Sequence, residues 1–152
     1  MAELASDPRQ DAAGPREVFE RLIGGINGRQ WDRLADLYAE DAVVEHPFAL
    51  PRPARLDGRQ AIRRHFAAGS RLPLELRARD IVVHETTDPE VIIGEYVYDG
   101  LVTTTGRTFT ISNVQVMRVR GGLIVTSRDY HNHAALAELA AGLTAPGGRP
   151  GP

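Results

Sequence analysis

The chain has 152 residues, with 18 basic and 20 acidic side chains, a net charge of −2 and no cysteine. That length suits a single domain with its own core, and the balanced charge gives no electrostatic reason to expect nucleic acid or an anionic membrane as a partner. The lack of cysteine excludes disulfides, thiolate nucleophiles and cysteine-ligated metals.

The composition along the chain indicates one domain over residues 14–143. Residues 1–13 are acidic and polar and predict a flexible arm unlike a signal peptide, and the Pro/Gly-rich residues 144–152 predict a disordered tail. No apolar run approaches the ~20 residues of a membrane span. We therefore expect a soluble, cytoplasmic protein.

Two helices are predicted near the N-terminus. Pro15 suits the first turn of a helix, and Asn27-Gly28 ends it. Gly24 and Gly25 weaken this helix by up to ~1 kcal/mol each, which indicates that another backbone segment packs closely there. The apolar stripe of this helix consists of Phe19, Leu22, Ile23 and Ile26. A second helix follows directly, with Trp31, Leu34, Leu37 and Tyr38 on one face.

A strand, a loop and a third helix are predicted next. Residues 42–47 form a short strand ended by Pro47, and residues 48–56 form a proline-containing loop. Asp57 is the expected N-cap of the third helix, whose inward side chains are Ile62 and Phe66.

After Gly69 the apolar pattern changes to the alternation typical of strands. Four strands are predicted over residues 74–85, 90–100, 107–119 and 123–131, with hairpin turns at Thr105-Gly106 and Gly121-Gly122. A final helix, 132–143, turns Leu136, Leu139 and Leu143 inward. Three N-terminal helices packed on a curved antiparallel sheet, with a short C-terminal helix, predict an α+β fold shaped as a cone-like barrel with a ligand pocket inside.

Three stretches, in this order, resemble the SnoaL-like and ketosteroid-isomerase-like superfamily, whose fold is also used by nuclear transport factor 2. YAEDAVVEHP, 38–47, is similar to the family's entry to its first strand, and LDGRQAIRRHF, 56–66, to the start of its third helix. Residues 105–132 resemble the last hairpin of polyketide cyclases and of limonene-epoxide hydrolase. The resemblance covers about residues 15–143, and it implies a fold that hosts isomerases, cyclases, hydrolases, dehydratases and non-catalytic binders.

Asp129 is the first candidate catalytic residue, because residues 125, 127, 129 and 131 share one face of a strand. If that face lines the cone, burial raises the carboxyl pKa toward the range of general acid–base catalysis. The matching aspartate of limonene-epoxide hydrolase is its catalytic base, so the resemblance implies the same role. The alternative is an outward Asp129 paired with an arginine.

The register of the last hairpin decides which side chains accompany Asp129. A tight turn at Gly121-Gly122 would place Asp129 opposite Val114, whereas a longer turn with Gly122 in a left-handed bulge would place it opposite Asn113. The family uses the bulged type, which we favour. One face then carries Asn113, Gln115, Ser127, Asp129 and His131. The other carries Val114, Val116, Ile124 and Tyr130, and its apolar character predicts a homodimer interface.

His46 ends the first predicted strand, directly before Pro47. Ketosteroid isomerase, which the resemblance includes, carries its general-base aspartate at the matching place. An imidazole with a pKa near ~6.5 can still transfer protons there, although the change of residue argues against steroid isomerisation. A strand-end histidine without a role in the pocket is the alternative.

Tyr96 and Tyr98 are two residues apart and therefore lie on one face of a strand. The matching positions of limonene-epoxide hydrolase hold an arginine and an aspartate, so its mechanism is not expected here. Tyrosine hydroxyls could instead donate hydrogen bonds to an enolate or carbonyl oxygen. Filling of the core is an equally good explanation.

The other candidate contacts are Trp31 and Phe66 as apolar pocket walls and Gln115 and His131 as polar substrate contacts. Asn132 is most economically the N-cap of the last helix. His65 and His84 are expected on the surface.

His131 and His133, with His46 as a third donor, could ligate a metal. A lone H-x-H is a weak signal, so no metal site is predicted.

The sequence thus predicts a SnoaL-like enzyme that performs acid–base chemistry, without a cofactor, on an apolar oxygenated small molecule such as a polyketide, steroid or terpenoid. Asp129 and His46 are the expected acid–base pair, with Tyr96, Tyr98 and Asn113 as hydrogen-bond donors. Isomerisation, aldol-type cyclisation, dehydration and epoxide opening all stay open. The alternative is a non-catalytic module that binds a small molecule or a partner.

Overall fold

A computed structural model describes residues 12–144. Its helices are α1 (Pro15–Asn27), α2 (Trp31–Leu34), α3 (Arg59–Ser70) and α4 (His133–Thr144), and a 3₁₀ turn, Ala35–Leu37, follows α2. Its strands are β1 (Tyr38–His46), β2 (Ala54–Asp57), β3 (Leu74–Glu85), β4 (Val91–Val102), β5 (Thr108–Arg120) and β6 (Leu123–His131). Apart from residues 12, 13 and 144, the predicted arm and tail lie outside the described residues. Within 12–144, no helix has the length and apolar character needed to cross a membrane.

The six strands form one curved, open sheet in the order β2-β1-β6-β5-β4-β3, and the predicted α+β class is confirmed. Two details differ from the prediction. β1 runs parallel to β6, because most of the domain rather than a hairpin connects them, so the sheet is mixed. β2 begins inside the predicted loop 48–56 and extends one residue past it, to Asp57. It is a short edge strand, mostly exposed, with no apolar alternation to reveal it.

The helical stripe of α1 is buried as predicted, whereas the second helix is shorter than predicted. α2 and the 3₁₀ turn end at Leu37, and Tyr38 begins β1 with its side chain still buried. Tyr38 fits the apolar spacing of a helix, and it also lies on the inward face of the strand. The apolar pattern therefore could not distinguish a helical Tyr38 from a Tyr38 in a strand. The buried residues of α1 are Val18, Phe19, Leu22, Ile23, Gly25 and Ile26.

One of the two predicted helix caps is wrong. Gly58 is the N-cap of α3 and makes no side-chain cap bond; Asp57 ends β2, where its Oδ1 accepts a 2.9 Å hydrogen bond from Arg55 Nε. Asn132 does precede α4, and its Oδ1 accepts a 3.2 Å hydrogen bond from the Ala135 backbone N–H. Asp57 therefore serves the edge strand that the sequence did not reveal.

The β5–β6 hairpin contains a tight turn and also a bulge. Gly121 and Gly122, with φ of 58° and 79°, form a two-residue turn of the kind that favours glycine at both positions. Ile124 pairs with Val119 and Thr126 pairs with Arg118, so Val125 is an extra residue with no partner. The bulge expected at Gly122 is therefore wrong, and the actual bulge lies three residues later.

With this bulge Asp129 still lies on the predicted inward face of the sheet, but its partner across the hairpin differs from the predicted one. Asp129 lies opposite Gln115 rather than Asn113, a difference of two residues that leaves the side chains on the same face. Ile124, predicted on the outer face, is buried in the core. The extra residue, Val125, follows it and reverses which face the residues before the bulge occupy. Val114 stays on the outer face and is 36% exposed.

Glycines on the inner face allow buried side chains to lie directly against the backbone. A Cβ built on Gly94 in β4 would come within 2.3 Å of the Phe19 ring. At Gly25 the close neighbour is the Leu34 side chain at 2.5 Å, and Gly24 has nothing within 4 Å. The predicted close backbone approach at Gly24-Gly25 is therefore wrong, since a side chain occupies that place.

We predict that Gly94→Ala destabilises the protein by about 1–3 kcal/mol, because the buried Phe19 ring must leave its position. Gly24→Ala is the matched control, and it should stabilise helix α1 by up to ~1 kcal/mol. Urea unfolding of the three proteins measures both effects. Equal stability of Gly94→Ala and the parent would show that Phe19 does not need this glycine.

Candidate active site

A cavity of about 380 Å³ lies between the helices and the concave face of the sheet. Most of its wall is apolar, including Trp31 and Phe66 as predicted. Among the described residues that line it, Asp129 is the only Asp, Glu, Lys or Arg side chain. The other polar groups in the wall are His46, His65, Tyr96, Tyr98, Asn113, Gln115, His131 and His133, together with Tyr38. All nine residues predicted for the site thus lie in the wall of one cavity, and their roles remain predictions.

Asp129 lies on β6 with only 8% of its surface exposed. Burial raises the pKa of its carboxyl group to about 6, and hydrogen bonds from Ser127 and Gln115 oppose part of that shift. A carboxyl group with this pKa exists in both protonation states near neutral pH. It can therefore accept a proton and return it, which is the requirement for general acid–base catalysis.

A chain of hydrogen bonds runs along the cavity floor and ends at Asp129. Tyr96 Oη donates to Gln115 Oε1 at 3.4 Å, and Gln115 Nε2 donates to Ser127 Oγ at 2.9 Å. Ser127 Oγ then donates to Asp129 Oδ1 at 2.5 Å. Each buried polar atom in this chain has a partner, so the chain can hold the carboxylate in one orientation.

Tyr96 and Tyr98 are buried beside each other, with ring centroids 5.1 Å apart. Burial raises the pKa of both hydroxyl groups far above the physiological range. Both tyrosines are therefore protonated at neutral pH. Neither can act as a base there. Tyr96 Oη already donates to Gln115 Oε1, so it can donate to a ligand only by leaving that partner.

His46 ends β1 and is the centre of a cluster of imidazoles. Its ring centroid lies 5.7 Å from those of His65 and His131 and 6.0 Å from that of His133. Only 9% of His46 is exposed, yet neither of its ring nitrogens has a hydrogen-bond partner. Burial lowers the pKa of His46, and the neighbouring His133 lowers it further. At neutral pH His46 is therefore an uncharged imidazole with free donor and acceptor capacity.

His131 is oriented by Asn113. Asn113 Nδ2 donates to the Ile111 carbonyl at 2.9 Å, so its Oδ1 is the atom that faces His131 Nδ1 at 2.6 Å. Nδ1 must then carry the proton, which leaves the lone pair on Nε2. Burial, with His46 and His133 nearby, lowers the pKa of His131 to about 3. The Asn113 amide is thus already engaged, which argues against the predicted role of Asn113 as a donor to substrate.

Two residues of the site were missed. His65 was expected on the surface; part of it is exposed, but it also lines the cavity beside His46. Its spacing of three residues from Ile62 placed it on the inward face of α3, a signal that could have revealed it. Ser127 was placed on the correct face but not recognised as the link to Asp129. His84 is exposed as predicted and lies 2.5 Å from Glu95.

Comparison with known proteins identifies the family. Residues 19–127, more than two thirds of the chain, match the SnoaL-like domain family. An uncharacterised PhzA/B-like protein of Pseudomonas aeruginosa is 32% identical over 126 residues, which cover 82% of this chain and 86% of that protein. The chain belongs to the SnoaL-like family. The resemblance predicted from the strings around residues 38–47, 56–66 and 105–132 is therefore confirmed.

Two solved structures have the same SnoaL-like architecture. One, from Bacillus subtilis and provisionally described as an isomerase, is 26% identical with a TM-score of 0.77, covering 90% of this chain and 96% of that one. Another, from Xanthomonas campestris and provisionally described as a polyketide cyclase, is 25% identical with a TM-score of 0.68, covering 91% of this chain and 100% of that one. This chain therefore shares its α+β fold, with one curved and open sheet, with both solved structures.

We predict that Asp129→Asn stabilises the protein above pH 6. Because burial raises the carboxyl pKa from 3.8 to about 6, the folded state binds this proton more tightly than the unfolded chain. The stabilisation from that proton is complete below pH ~4 and is lost as the pH rises through ~6. Asparagine avoids the buried charge, so the gain should approach ~1–3 kcal/mol at about pH 8 and be small at about pH 4.

Urea unfolding at the two pH values measures this difference. Asp41→Asn, which replaces an exposed carboxylate in β1, is the control and should show little difference between them. An equal effect of Asp129→Asn at both pH values would mean that Asp129 has an ordinary, solvated carboxyl group.

Proposed function

We propose that this SnoaL-like protein is an enzyme that transfers protons within a compact, uncharged, oxygen-bearing substrate, without a cofactor. Asp129 is the base that removes a proton from carbon or oxygen, and His46 is the partner that delivers or receives the second proton. The observation that carries the proposal is a buried carboxylate whose oxygen lies within 4.8 Å of a ring nitrogen of a buried, unpartnered imidazole, both in the wall of one apolar cavity. A general base and a general acid that act on one substrate must both lie within reach of it, and this spacing permits that.

The wall of the cavity favours an uncharged substrate. No Lys or Arg lines it among the described residues, so a phosphate or carboxylate group would be buried without a cation to pair with. A volume of about 380 Å³ is near the lower end of the range for small-molecule pockets, which favours a compact substrate. A small cyclic ketone, diketone or hydroxyketone, such as a short polyketide or terpenoid, meets both conditions.

The tyrosines are the proposed hydrogen-bond donors to the substrate oxygen on which negative charge develops. When Asp129 removes a proton next to a carbonyl group, negative charge develops on the carbonyl oxygen. Tyr96 and Tyr98 are protonated and line the cavity. Tyr98 can donate a hydrogen bond to that oxygen, and Tyr96 can do so when its hydroxyl turns away from Gln115 Oε1. This arrangement suits isomerisation, dehydration or aldol-type cyclisation better than epoxide opening, because the arginine and second aspartate of the limonene-epoxide hydrolase pattern are tyrosines here.

The structural relatives support a catalytic role. The two described above are provisionally an isomerase and a polyketide cyclase, and proton transfer next to a carbonyl group is one way to perform either kind of reaction. The proposal extends that chemistry to this chain on the basis of its own carboxylate and imidazoles.

Hydrogen–deuterium exchange tests this function before the physiological substrate is known. The protein is incubated in D₂O with a panel of cyclic 1,3-diketones, β-hydroxyketones and enones, and loss of the α-proton signal is followed by NMR. For a substrate that exchanges, Asp129→Asn should lower the rate by about 10²–10⁴-fold, as expected for loss of a general base. The rate for the parent should rise with pH through about 6, because only ionised Asp129 accepts the proton, and this limb should vanish in the variant.

His46→Gln tests the proposed partner of the carboxylate, and His65→Gln tests the imidazole beside His46. His84→Gln, outside the cavity, is the matched control. Exchange that persists in both Asp129→Asn and His46→Gln would refute the proposed pair. Tight binding of a panel member with no exchange in the parent would favour the alternative, a non-catalytic binding module.

We also propose that the predicted homodimer forms through the outer face of the sheet. Val114 is 36% exposed and lies opposite Tyr130, whose ring contacts Phe48, itself 65% exposed. Contiguous exposed apolar side chains of this kind are typical of interfaces. We predict a dimer by light scattering, and a monomer for Val114→Arg. A monomeric parent protein would contradict the proposal.

A further inference from the structure

Three side chains with metal-binding atoms lie close together in the cavity, whereas the proposed proton transfer uses only two of them. One ligand atom each from His46, Asp129 and His131 lies within 4.8 Å of the other two. Two imidazoles and a carboxylate form a donor set that binds divalent transition metals, zinc above all, and leaves further coordination positions open. The three residues come from the neighbouring strands β1 and β6, so their relative position is fixed by the sheet.

The distances are compatible with one shared ion. Two ligands each ~2.1 Å from a tetrahedral zinc ion lie roughly 3.4 Å apart, so the observed atoms would have to approach by up to about 1.4 Å. Rotation of the imidazole rings and of the carboxylate can supply this movement without a change in the strands. A fourth nitrogen is close by, because His133 Nε2 is buried without a partner and its ring lies 5.6 Å from that of His131.

The surroundings of two of these side chains match those of metal ligands. His131 donates its Nδ1 proton to Asn113 Oδ1, which leaves the Nε2 lone pair for an ion. Asp129 accepts a hydrogen bond from Ser127, which orients the carboxylate. Histidines that bind metals nearly always donate the other ring N–H to an oxygen acceptor, and ligating carboxylates are themselves hydrogen-bonded.

His46 supplies the independent observation. It is 9% exposed, and both of its ring nitrogens are without a partner. A buried polar group without a hydrogen bond is costly, and native proteins rarely keep one unless something binds it. An ion held by His46, Asp129 and His131 would be that partner.

We propose that the cavity binds one divalent transition-metal ion, with zinc as the preferred ion, through His46, Asp129 and His131. His133 is the nearest candidate for a fourth ligand. This site uses side chains that the proposed proton transfer also uses. A bound ion would occupy the lone pairs of His46 and Asp129, so zinc should inhibit the exchange reaction.

Metal binding can be measured without a substrate, so it is tested separately from the proposed enzyme function. Protein without an affinity tag is freed of metal with a chelator and titrated with ZnCl₂ by calorimetry. Visible absorption of added Co²⁺ reports the coordination geometry. We expect one ion per chain, with a Kd on the order of 1 μM or tighter.

The variants distinguish this site from adventitious binding at the surface. His46→Gln, His131→Gln and Asp129→Asn should each weaken zinc binding at least ~10-fold, and Asn113→Ala, which removes only the partner of His131, should weaken it by ~10–100-fold. His84→Gln should leave the Kd unchanged, since His84 lies outside the cavity beside Glu95. Thermal melts confirm that each variant is folded, and Asp129→Asn, expected to be stable, serves if a histidine variant is not.

No binding by the parent at about 1 mM zinc would overturn the proposal. So would binding that is unaffected in His46→Gln, His131→Gln and Asp129→Asn, because the ion would then be held elsewhere. Binding that these three changes weaken and His84→Gln does not would establish the site, whether or not any ketone exchanges its protons.

Discussion

The candidate site depends on one extra residue in β6. Ile124 is in the core and Asp129 is in the cavity, yet they are five residues apart, and an uninterrupted strand places residues an odd number apart on opposite faces. The bulge at Val125 absorbs the odd residue. Without it, the tight turn at Gly121-Gly122 would direct Asp129 outward, opposite the exposed Val114. The bulge thus allows one strand to place Ile124 in the core near the turn and Asp129 in the cavity further along.

Placing a carboxylate in this cavity has a cost in stability, and the surrounding side chains limit it. The shift of the Asp129 pKa to about 6 corresponds to roughly 3 kcal/mol of unfavourable burial of the charge. Ser127 and Gln115 offset part of the desolvation through hydrogen bonds, and Tyr96 extends the chain. A fold that needed only a filled cavity would be more stable with apolar side chains here. The retained polar chain is therefore better explained by chemistry than by folding.

Much of the fold could be predicted because its signals are local. The predicted strands 74–85 and 123–131 match β3 and β6 to the residue, and apolar alternation identified the first of them. Features that depend on distant contacts could not be predicted, such as the parallel pairing of β1 with β6 and the edge strand β2. The inward face of Asp129 was predicted correctly with the wrong bulge, because the predicted and observed registers differ by two residues, which does not change the face.

The histidine cluster could be predicted only in part from the sequence. His46 and His131 come from strands whose ends could be predicted, and His133 follows His131 by two residues. His65 joins them from α3, which also lines the cavity. Four of the five histidines in the chain meet there, although they are spread over 88 positions, from 46 to 133. The His131-x-His133 pair and His46 could be grouped from the sequence, whereas the contact of His65 with His46 depends on the tertiary structure.

The balance of charge in the cavity explains how proton transfer could proceed there without a cation. Asp129 is the only Asp, Glu, Lys or Arg among the described lining residues, and burial lowers the pKa of His46, His65 and His131. When Asp129 takes a proton from a neutral ketone, its negative charge passes to the substrate oxygen, and the total charge in the cavity does not change. The cavity then needs donors at the new position of the charge rather than a new counterion. Tyr96 and Tyr98 carry their hydroxyl protons at neutral pH, as ordinary tyrosines do, and can supply those donors. The cavity thus places a carboxylate whose basicity burial increases beside hydroxyl groups that stay protonated.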